Sequence, residues 1–335
     1  MEKLLTDGVC VIAVPSARAL HTYVPTILSE VKEVYTPATA VLDLPFEISP
    51  AHPAQFVLGS YGALGLPSLT HHPLVREIRQ TIYEALFPLF VEQFPGRKLE
   101  VLFDRFSVRR KGASISGESF HRDVGPTAHN DMVFGGWFNL DALDKPAQNF
   151  SGLPGNVLPL NAQAQGFAKM TKAEQKALEE ELKRVGPIAI PPAHIILFNQ
   201  TIAHKITAVS KAKFTSYRLY FGWRITDSAV PSYDKQSIID QQSVPPLPSG
   251  EIAPMYALLH WVNWKERLMA FSRQFKMAYI DPVRGCVKRE MPGLVATNEA
   301  FAPYSAEERA MFFPTLLPAP TDADAAPCKR RRVEE

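Results

Sequence analysis

LEVLFDRFSVRR (residues 99–110) alternates β-branched and aromatic residues with polar ones, the mark of a strand with one buried face. The hydrophobic period changes to two at Lys98 and keeps returning to two downstream. MVFGGWFNLD (132–141) reads as a second strand, IAIPPAHIILFNQ (188–200) as a third with a turn inside it, and FTSYRLYFGWRI (214–225) as a fourth. Between them, MTKAEQKALEEELKRV (170–185) is a charged amphipathic surface helix whose Thr171 and Glu174 supply a capping box. Strands in series with helices before and after predict a mainly β chain of the α+β class, a double-sheet core with helices packed around it.

Upstream, Val9 to Val14 reads as a short buried strand, and Ser16 is placed to cap a helix running to about Val31. PLVREIRQTIYEALFPLFVEQF (73–94) has apolar residues at helical spacing, with Pro73 near its start and Pro95-Gly96 closing it. Pro88 is expected to kink or split that helix. Downstream, Tyr256 to Met277 and AEERAMFF (306–313) read as helices. From about Pro314 the chain, rich in Pro, Ala and Asp, is expected to be a disordered tail ending in Lys329-Arg330-Arg331-Arg332.

Bulk composition narrows the function classes. Apolar residues make up 46% and charged residues 21% of 335, the balance of a globular protein with a real core. Lys and Arg number 36 against 34 Asp and Glu, so no broad nucleic-acid footprint is expected. Cys10, Cys286 and Cys328 are an odd, scattered set with no CxxC pair, which favours a reducing compartment. The N-terminal stretch lacks the layout of a secretory signal, and no run approaches the length of a membrane helix. The expected location is intracellular, cytoplasmic or nuclear, with the KRRR run (329–332) as a candidate import patch.

The chemistry centres on ESFHRDVGP (118–126) and QTIAHKI (201–206 and the preceding Gln200). Two imidazoles and a carboxylate on one side of a metal ion leave its other positions open, as a non-haem iron oxygenase requires. His121 and Asp123 supply an H-x-D pair, and His204 follows an apolar strand that would bring it to the same rim. An H-x-D alone says little: with nine histidines it is expected by chance roughly 0.5 times per chain. A second one exists, His129-Asn130-Asp131. Position favours the first, which ends the strand beginning at Leu99 and precedes a short loop, whereas Asp131 abuts the next strand. Arg218 lies among Tyr217, Leu219, Tyr220, Phe221 and Trp223, and a buried guanidinium there calls for an anion. A bidentate carboxylate such as the far end of 2-oxoglutarate would serve. Arg224 shares its strand face and competes for that role, and an internal ion pair is the plainer reading for either. Arg105, Arg109, Arg110 and Arg122 are candidate contacts for an anionic substrate or an ordinary ion-paired face. Trp261 and Trp264 read as the packed face of a helix.

The order HRD, GGWFNLD, FSGLPG, IPPAHIILFNQTIAH, SYRLYFGWRI resembles the phytanoyl-CoA dioxygenase-like branch of the Fe(II)/2-oxoglutarate oxygenases, most of all the divergent members encoded by large DNA viruses. The resemblance spans residues 98 to 226, with DGVCVIAV resembling the family's first strand. It implies a double-stranded β-helix (jelly-roll, cupin-like) core at 98–226 and an N-terminal strand and helices (1–97) packing on it. A helical extension (227–313) and a tail (314–335) then complete the chain. It also implies Fe(II), 2-oxoglutarate as co-substrate and hydroxylation with release of succinate and CO2. Residue by residue, His121, Asp123 and His204 match the metal triad, Arg218 the co-substrate arginine and Asn139 a position that touches the co-substrate. The sequence departs from the pattern at Pro154-Gly155-Asn156-Val157, where a usual polar contact is missing. An intact triad argues against a catalytically inactive β-helix protein serving as a binding or structural component. Arg218 argues against a cupin-type isomerase or an oxygenase without 2-oxoglutarate. The substrate, small molecule or macromolecule, is not specified by these residues, and neither a membrane nor a nucleic-acid partner is expected.

Overall fold

The computed structural model describes residues 1–29, 63–64, 73–102, 106–109, 111–112, 117–123, 131–155, 168–231 and 305–319. The helix expected at 256–277 with Trp261 and Trp264, His129, Arg105, Arg110 and the KRRR run lie outside them. In chain order the elements are α1 (Glu2–Thr6), β1 (Val9–Ala13), β2 (Ala63–Leu64), α2 (Pro73–Gln93), β3 (Lys98–Leu102), β4 (Phe106–Arg109), β5 (Glu118–Arg122), β6 (Met132–Asn139) and β7 (Gln148–Gly152). They continue with β8 (Ala168–Lys169), α3 (Lys172–Val185), β9 (Ile188–Ile190), β10 (His194–Asn199), β11 (His204–Ile206), β12 (Ser216–Thr226), α4 (Ala306–Met311) and β13 (Thr315–Leu316).

Strand β12 organises the larger, eight-stranded sheet, whose main path runs β1-β10-β6-β12-β3-β13. One edge pairs with β6 from Arg218↔Asn139 to Ile225↔Met132, and its other edge is shared between β4 and β3. LEVLFDRFSVRR, expected as one strand, therefore forms two strands laid end to end along β12. The smaller, five-stranded sheet has the order β8-β5-β11-β7-β9. All pairings are antiparallel.

Period-two patterning sorts the β12 side chains onto two faces. Leu219, Phe221, Trp223 and Ile225 are buried in the largest apolar cluster with Val75, Ile78, Ile82, Leu86 and Phe90 of α2. Phe90 stacks on Trp223 at 6.0 Å. The other face of this sheet meets the smaller sheet through Trp137, Ile196 and Phe198 on one side and Phe150 and Ile190 on the other. Phe120, Leu153 and Ala203 of the smaller sheet and its turns then pack on Leu178 of α3. The layers are helix, large sheet, small sheet, helix.

Most helix signals are realised as the sequence predicts, and the exceptions have physical reasons. Helix α3 carries the capping box of Thr171 and Glu174, and α4 has a second one from Ser305 and Glu308. Helix α2 is not split: it runs 21 residues with Pro88 inside it. Pro88 and Glu84, whose carbonyl the proline leaves without its helical partner, are both exposed, so water can take that bond. Ser16 does not cap a helix. Pro15 opens a short 3-10 turn, Pro15–Ala17, with Val14 at its N-cap and no side-chain cap, and a second turn at Leu20–Tyr23 leads into α-helix over residues 24–29.

The C-terminal segment also departs from expectation. Glu308 of α4 makes a two-pronged contact with Arg76 of α2, at 2.5 and 2.9 Å, and Met311 and Phe312 are buried. Thr315–Leu316 then pairs with β3, and Leu317 is fully buried. The boundary of the expected tail therefore lies beyond Leu317, not at Pro314. Among the described residues no helix is long and apolar enough to cross a membrane.

Because Leu317 is 0% exposed and its neighbour Leu316 is 62% exposed, the two should respond differently to truncation. L317A should lower the unfolding free energy by about 2–4 kcal/mol, and L316A should change it by less than about 0.5 kcal/mol. Urea denaturation of the full chain measures both.

Candidate metal centre

The site is assembled by strand pairing. β5 and β11 run antiparallel in the smaller sheet with His204 directly opposite His121. Their rings lie 4.4 Å apart, centroid to centroid. Asp123 follows the end of β5, its backbone N–H held at 3.0 Å by the Gln200 carbonyl, while the Gln200 N–H binds Val133 of the large sheet at 3.1 Å. Asn199 Oδ1 accepts from both the N–H and the hydroxyl of Thr201, which shapes the turn leading into β11. Arg122, on the opposite side of β5 from His121, donates to the Thr201 carbonyl. Arg122 is 3% exposed and ties the two ligand-bearing segments together. It is not placed as the anionic-substrate contact that its position in the HRD motif offered.

The three side chains converge. One ligand atom from each of His121, Asp123 and His204 can be chosen so that all lie within 4.8 Å of one another. The two carboxylate oxygens of Asp123 divide between the rings, Oδ1 lying 3.5 Å from His121 Nε2 and Oδ2 3.3 Å from His204 Nε2. Each imidazole is oriented from behind. His121 Nδ1 is 2.9 Å from the Ser119 carbonyl and His204 Nδ1 is 3.1 Å from the Ile202 carbonyl. A carbonyl only accepts, so Nδ1 carries the proton in both neutral rings and each Nε2 lone pair faces the common point. Both rings are buried, but the Asp123 side chain is 28% exposed, which leaves the centre open on one side.

The local electrostatics suit a cation. Burial, and then the neighbouring His204, hold His121 below its ordinary pKa. Burial also opposes charge on His204, but the Asp123 carboxylate outweighs it and the net shift is upward. Positive charge at Nε2 is thus favoured by Asp123 and disfavoured by crowding, and a shared ion satisfies all three groups at once. Phe150 and Phe198 wall the centre, with ring centroids 5.8 and 5.0 Å from that of His204.

The competing H-x-D pair has another occupation. Asp131 Oδ2 accepts from Arg224 Nε at 2.7 Å, and Glu100 accepts from Arg224 Nη1 at 2.7 Å. Arg224 is therefore paired with carboxylates inside the fold. Arg218, on the same face of β12, is different. It is 6% exposed, and its Nε donates to the neutral Gln148 Oε1 at 2.5 Å. Among the described residues its Nη atoms have only long contacts, 3.5 Å to the Tyr220 hydroxyl and 3.5 Å to the Asn149 carbonyl. Trp137 stacks on it, 3.8 Å from Cζ to the ring centroid. None of these partners is a carboxylate.

Asn139 is fully buried and is held by the protein itself. Its Nδ2 donates to the Ile190 carbonyl at 2.9 Å, and its Oδ1 accepts from Asp141 N–H at 3.0 Å and Gln148 Nε2 at 2.9 Å. These bonds place it in the packing around Arg218. Burial pushes the Asp141 carboxyl upward, opposed by the Tyr217 N–H, the Gln148 amide and the charge of Arg218. Sequence reading missed Gln148 and Asp141. Asp141 is quoted in MVFGGWFNLD, but nothing in KPAQNFSG marks Gln148, which has neither charge nor motif spacing.

No family model matches the chain, and no curated protein does. Solved structures similar to it include the non-haem α-ketoglutarate-dependent carbocyclase SnoK from nogalamycin biosynthesis, at 13% identity over 67% of this chain and 82% of that one, with a TM-score of 0.42. HygX from Streptomyces hygroscopicus with nickel and 2-oxoglutarate bound is 14% identical over 66% and 83%, with a TM-score of 0.41. EctD from S. alaskensis with 2-oxoglutarate and 5-hydroxyectoine is 13% identical over 67% and 74%, with a TM-score of 0.43. The reading of the site rests on its own geometry.

H121A, D123A and H204A should each weaken Fe(II) binding by at least about 100-fold, because loss of a ligand exceeds the effect of losing an outer partner. D131A should bind Fe(II) as the wild type does. It should instead lower stability by about 1–3 kcal/mol, because it strips Arg224 of one carboxylate. Anaerobic Fe(II) titration with thermal melts separates the two classes, and a metal-binding D123A beside a metal-free D131A would reverse the choice of motif.

Proposed function

We propose that the chain is an Fe(II)- and 2-oxoglutarate-dependent oxygenase of the phytanoyl-CoA dioxygenase-like kind, with residues 98–226 forming a double-stranded β-helix core. The observation that carries this reading is the convergence of His121, Asp123 and His204, each imidazole turned Nε2-inward by a backbone carbonyl. Two neutral nitrogens and one carboxylate suit a divalent iron that must keep open positions. When bound, iron and 2-oxoglutarate supply oxygen activation and oxidation of a substrate C–H bond as the co-substrate becomes succinate and CO2.

The protein's own part is binding, orientation and exclusion of water. Arg218 is a buried cation among neutral contacts, and such a group is stabilised by an anion delivered from outside. A carboxylate meeting the Nη edge would find two parallel donors, with Trp137 closing one face of the guanidinium. Anchoring one end of 2-oxoglutarate there and the other at the metal fixes the reacting groups relative to each other. Phe150, Phe198 and Trp137 line the space between the sheets with apolar surface, which strengthens these polar contacts by keeping the local dielectric low.

Succinate formation from 2-oxoglutarate by the Fe(II)-loaded chain tests the reading directly, and a chain that binds metal but forms none is the inactive binding protein instead. R218A should weaken 2-oxoglutarate use by about 2–5 kcal/mol with Fe(II) binding intact. R218K should rescue only in part, because an ammonium cannot make the two-pronged contact. R224A is the control. It removes a cation from the fully buried side chain of Glu100, so it should lower the melting temperature and spare the response to 2-oxoglutarate. A 2-oxoglutarate defect in R224A with none in R218A would move the role along the strand.

A further inference from the structure

Gln148, the first residue of β7, sits between the two buried charges nearest the proposed anion seat. Its Nε2 donates to Asp141 Oδ2 at 2.7 Å and Asn139 Oδ1 at 2.9 Å, with the Tyr217 carbonyl at 3.2 Å. Its Oε1 accepts from Arg218 Nε at 2.5 Å. The orientation of this amide is dictated, because the three groups on one side only accept and the guanidinium on the other only donates. Asn139 is fixed in the same way, its Oδ1 receiving the Asp141 N–H and its Nδ2 facing the Ile190 carbonyl. Asp141 anchors the whole arrangement with its second oxygen on the Tyr217 N–H at 2.7 Å. The result is a polarised chain from Asp141 through Gln148 to Arg218.

A direct ion pair between Asp141 and Arg218 would neutralise the guanidinium and remove its need for an external anion. The neutral amide of Gln148 occupies the space in which that pair would form. It also holds Arg218 by Nε alone, and Trp137 covers one face of the group, so Gln148 takes up neither Nη.

We propose that Gln148 is a positioning residue: its amide holds Arg218 by Nε and keeps it out of an ion pair with Asp141, so that the Nη edge remains available to the carboxylate of 2-oxoglutarate. This rests on the oxygenase reading above. Asp141 and Asn139 share the role by fixing the polarity of the amide. In D141N, an Nδ2 facing Gln148 would meet a donor with a donor, and the hold of the amide on Arg218 would loosen. In Q148E, a carboxylate would lie against Arg218 Nε and satisfy the cation internally.

The test is calorimetric titration of 2-oxoglutarate into the full chain loaded with Mn(II), alongside metal titration and thermal melts. Q148M, Q148E and D141N should each raise the dissociation constant for 2-oxoglutarate by about tenfold or more, with the affinity for Mn(II) unchanged. In turnover, the KM for 2-oxoglutarate should rise while kcat at saturating co-substrate holds. Any of these variants that melts cooperatively, binds Mn(II) normally and keeps the wild-type affinity for 2-oxoglutarate overturns the proposal. If none of them folds, a crystal structure of the wild type with Mn(II) and 2-oxoglutarate decides. Arg218 Nε still on Gln148 and the ligand on the Nη edge supports the proposal, and Nε transferred to the ligand overturns it. A wild-type chain that binds Mn(II) but no 2-oxoglutarate fails earlier, and removes the oxygenase reading itself.

Discussion

The site depends on one antiparallel pairing, that of β5 with β11. Directly opposed residues in such a pair bring their side chains within contact of each other on one face of the sheet, and here the opposed residues are His121 and His204. A shift of one residue in register would send one imidazole to the face that packs on α3. The pairing is therefore held from several sides. The Gln200 carbonyl receives the Asp123 N–H and the Gln200 N–H binds Val133, while the Arg122 side chain crosses to the Thr201 carbonyl. The turn before β11 is thus bonded to both sheets, and the cluster of His121, Asp123 and His204 inherits its geometry from backbone contacts.

Arg218 and Arg224 illustrate how partners, not residue type, decide what a buried cation does. Both lie on one face of β12. Arg224 meets Glu100, whose side chain is fully buried, and Asp131. It is a cross-strand ion pair whose removal would take a cation away from a fully buried carboxylate. Arg218 meets an amide, a hydroxyl, a carbonyl and an indole face. The first arrangement closes on itself, and the second has charge to share.

The sequence was legible where chemistry coincides with periodicity. The strands, the capping box at Thr171 and the convergence of His121, Asp123 and His204 follow from patterns within a dozen residues or from residue types that few roles can explain. It was less legible where the answer lay in tertiary contact. Nothing within LEVLFDRFSVRR indicates that β3 and β4 break apart to share one edge of β12, because both halves keep the same alternation. The HRD strand was likewise read as a continuation of the strand at Leu99, although β5 belongs to the other sheet. The Pro- and Ala-rich composition after Pro314 concealed Leu317, since one buried leucine does not alter a composition. The three hydrogen bonds that seat Asn139 beside Gln148 and Asp141 likewise have no local signature in the sequence.

The glycines in GGWFN and FSGLPG have a physical reason that bears on the centre. Phe198 and Phe150 flank His204, and each ring lies over a glycine. A Cβ at Gly135 would sit 2.8 Å from Phe198 Cζ, and one at Gly152 would sit 2.2 Å from Phe150 Cε1. Gly152 is also the residue paired with His204 across β7. Any side chain at either glycine would push a ring toward the imidazole or out of its stack with the other, whose centroid lies 4.7 Å away. Close packing leaves no room to absorb such a shift, so the displacement would pass to His204 and tilt its Nε2 away from Asp123. Absent side chains on two strands are in this sense part of the candidate metal centre, since they fix the rings that pack against the histidine.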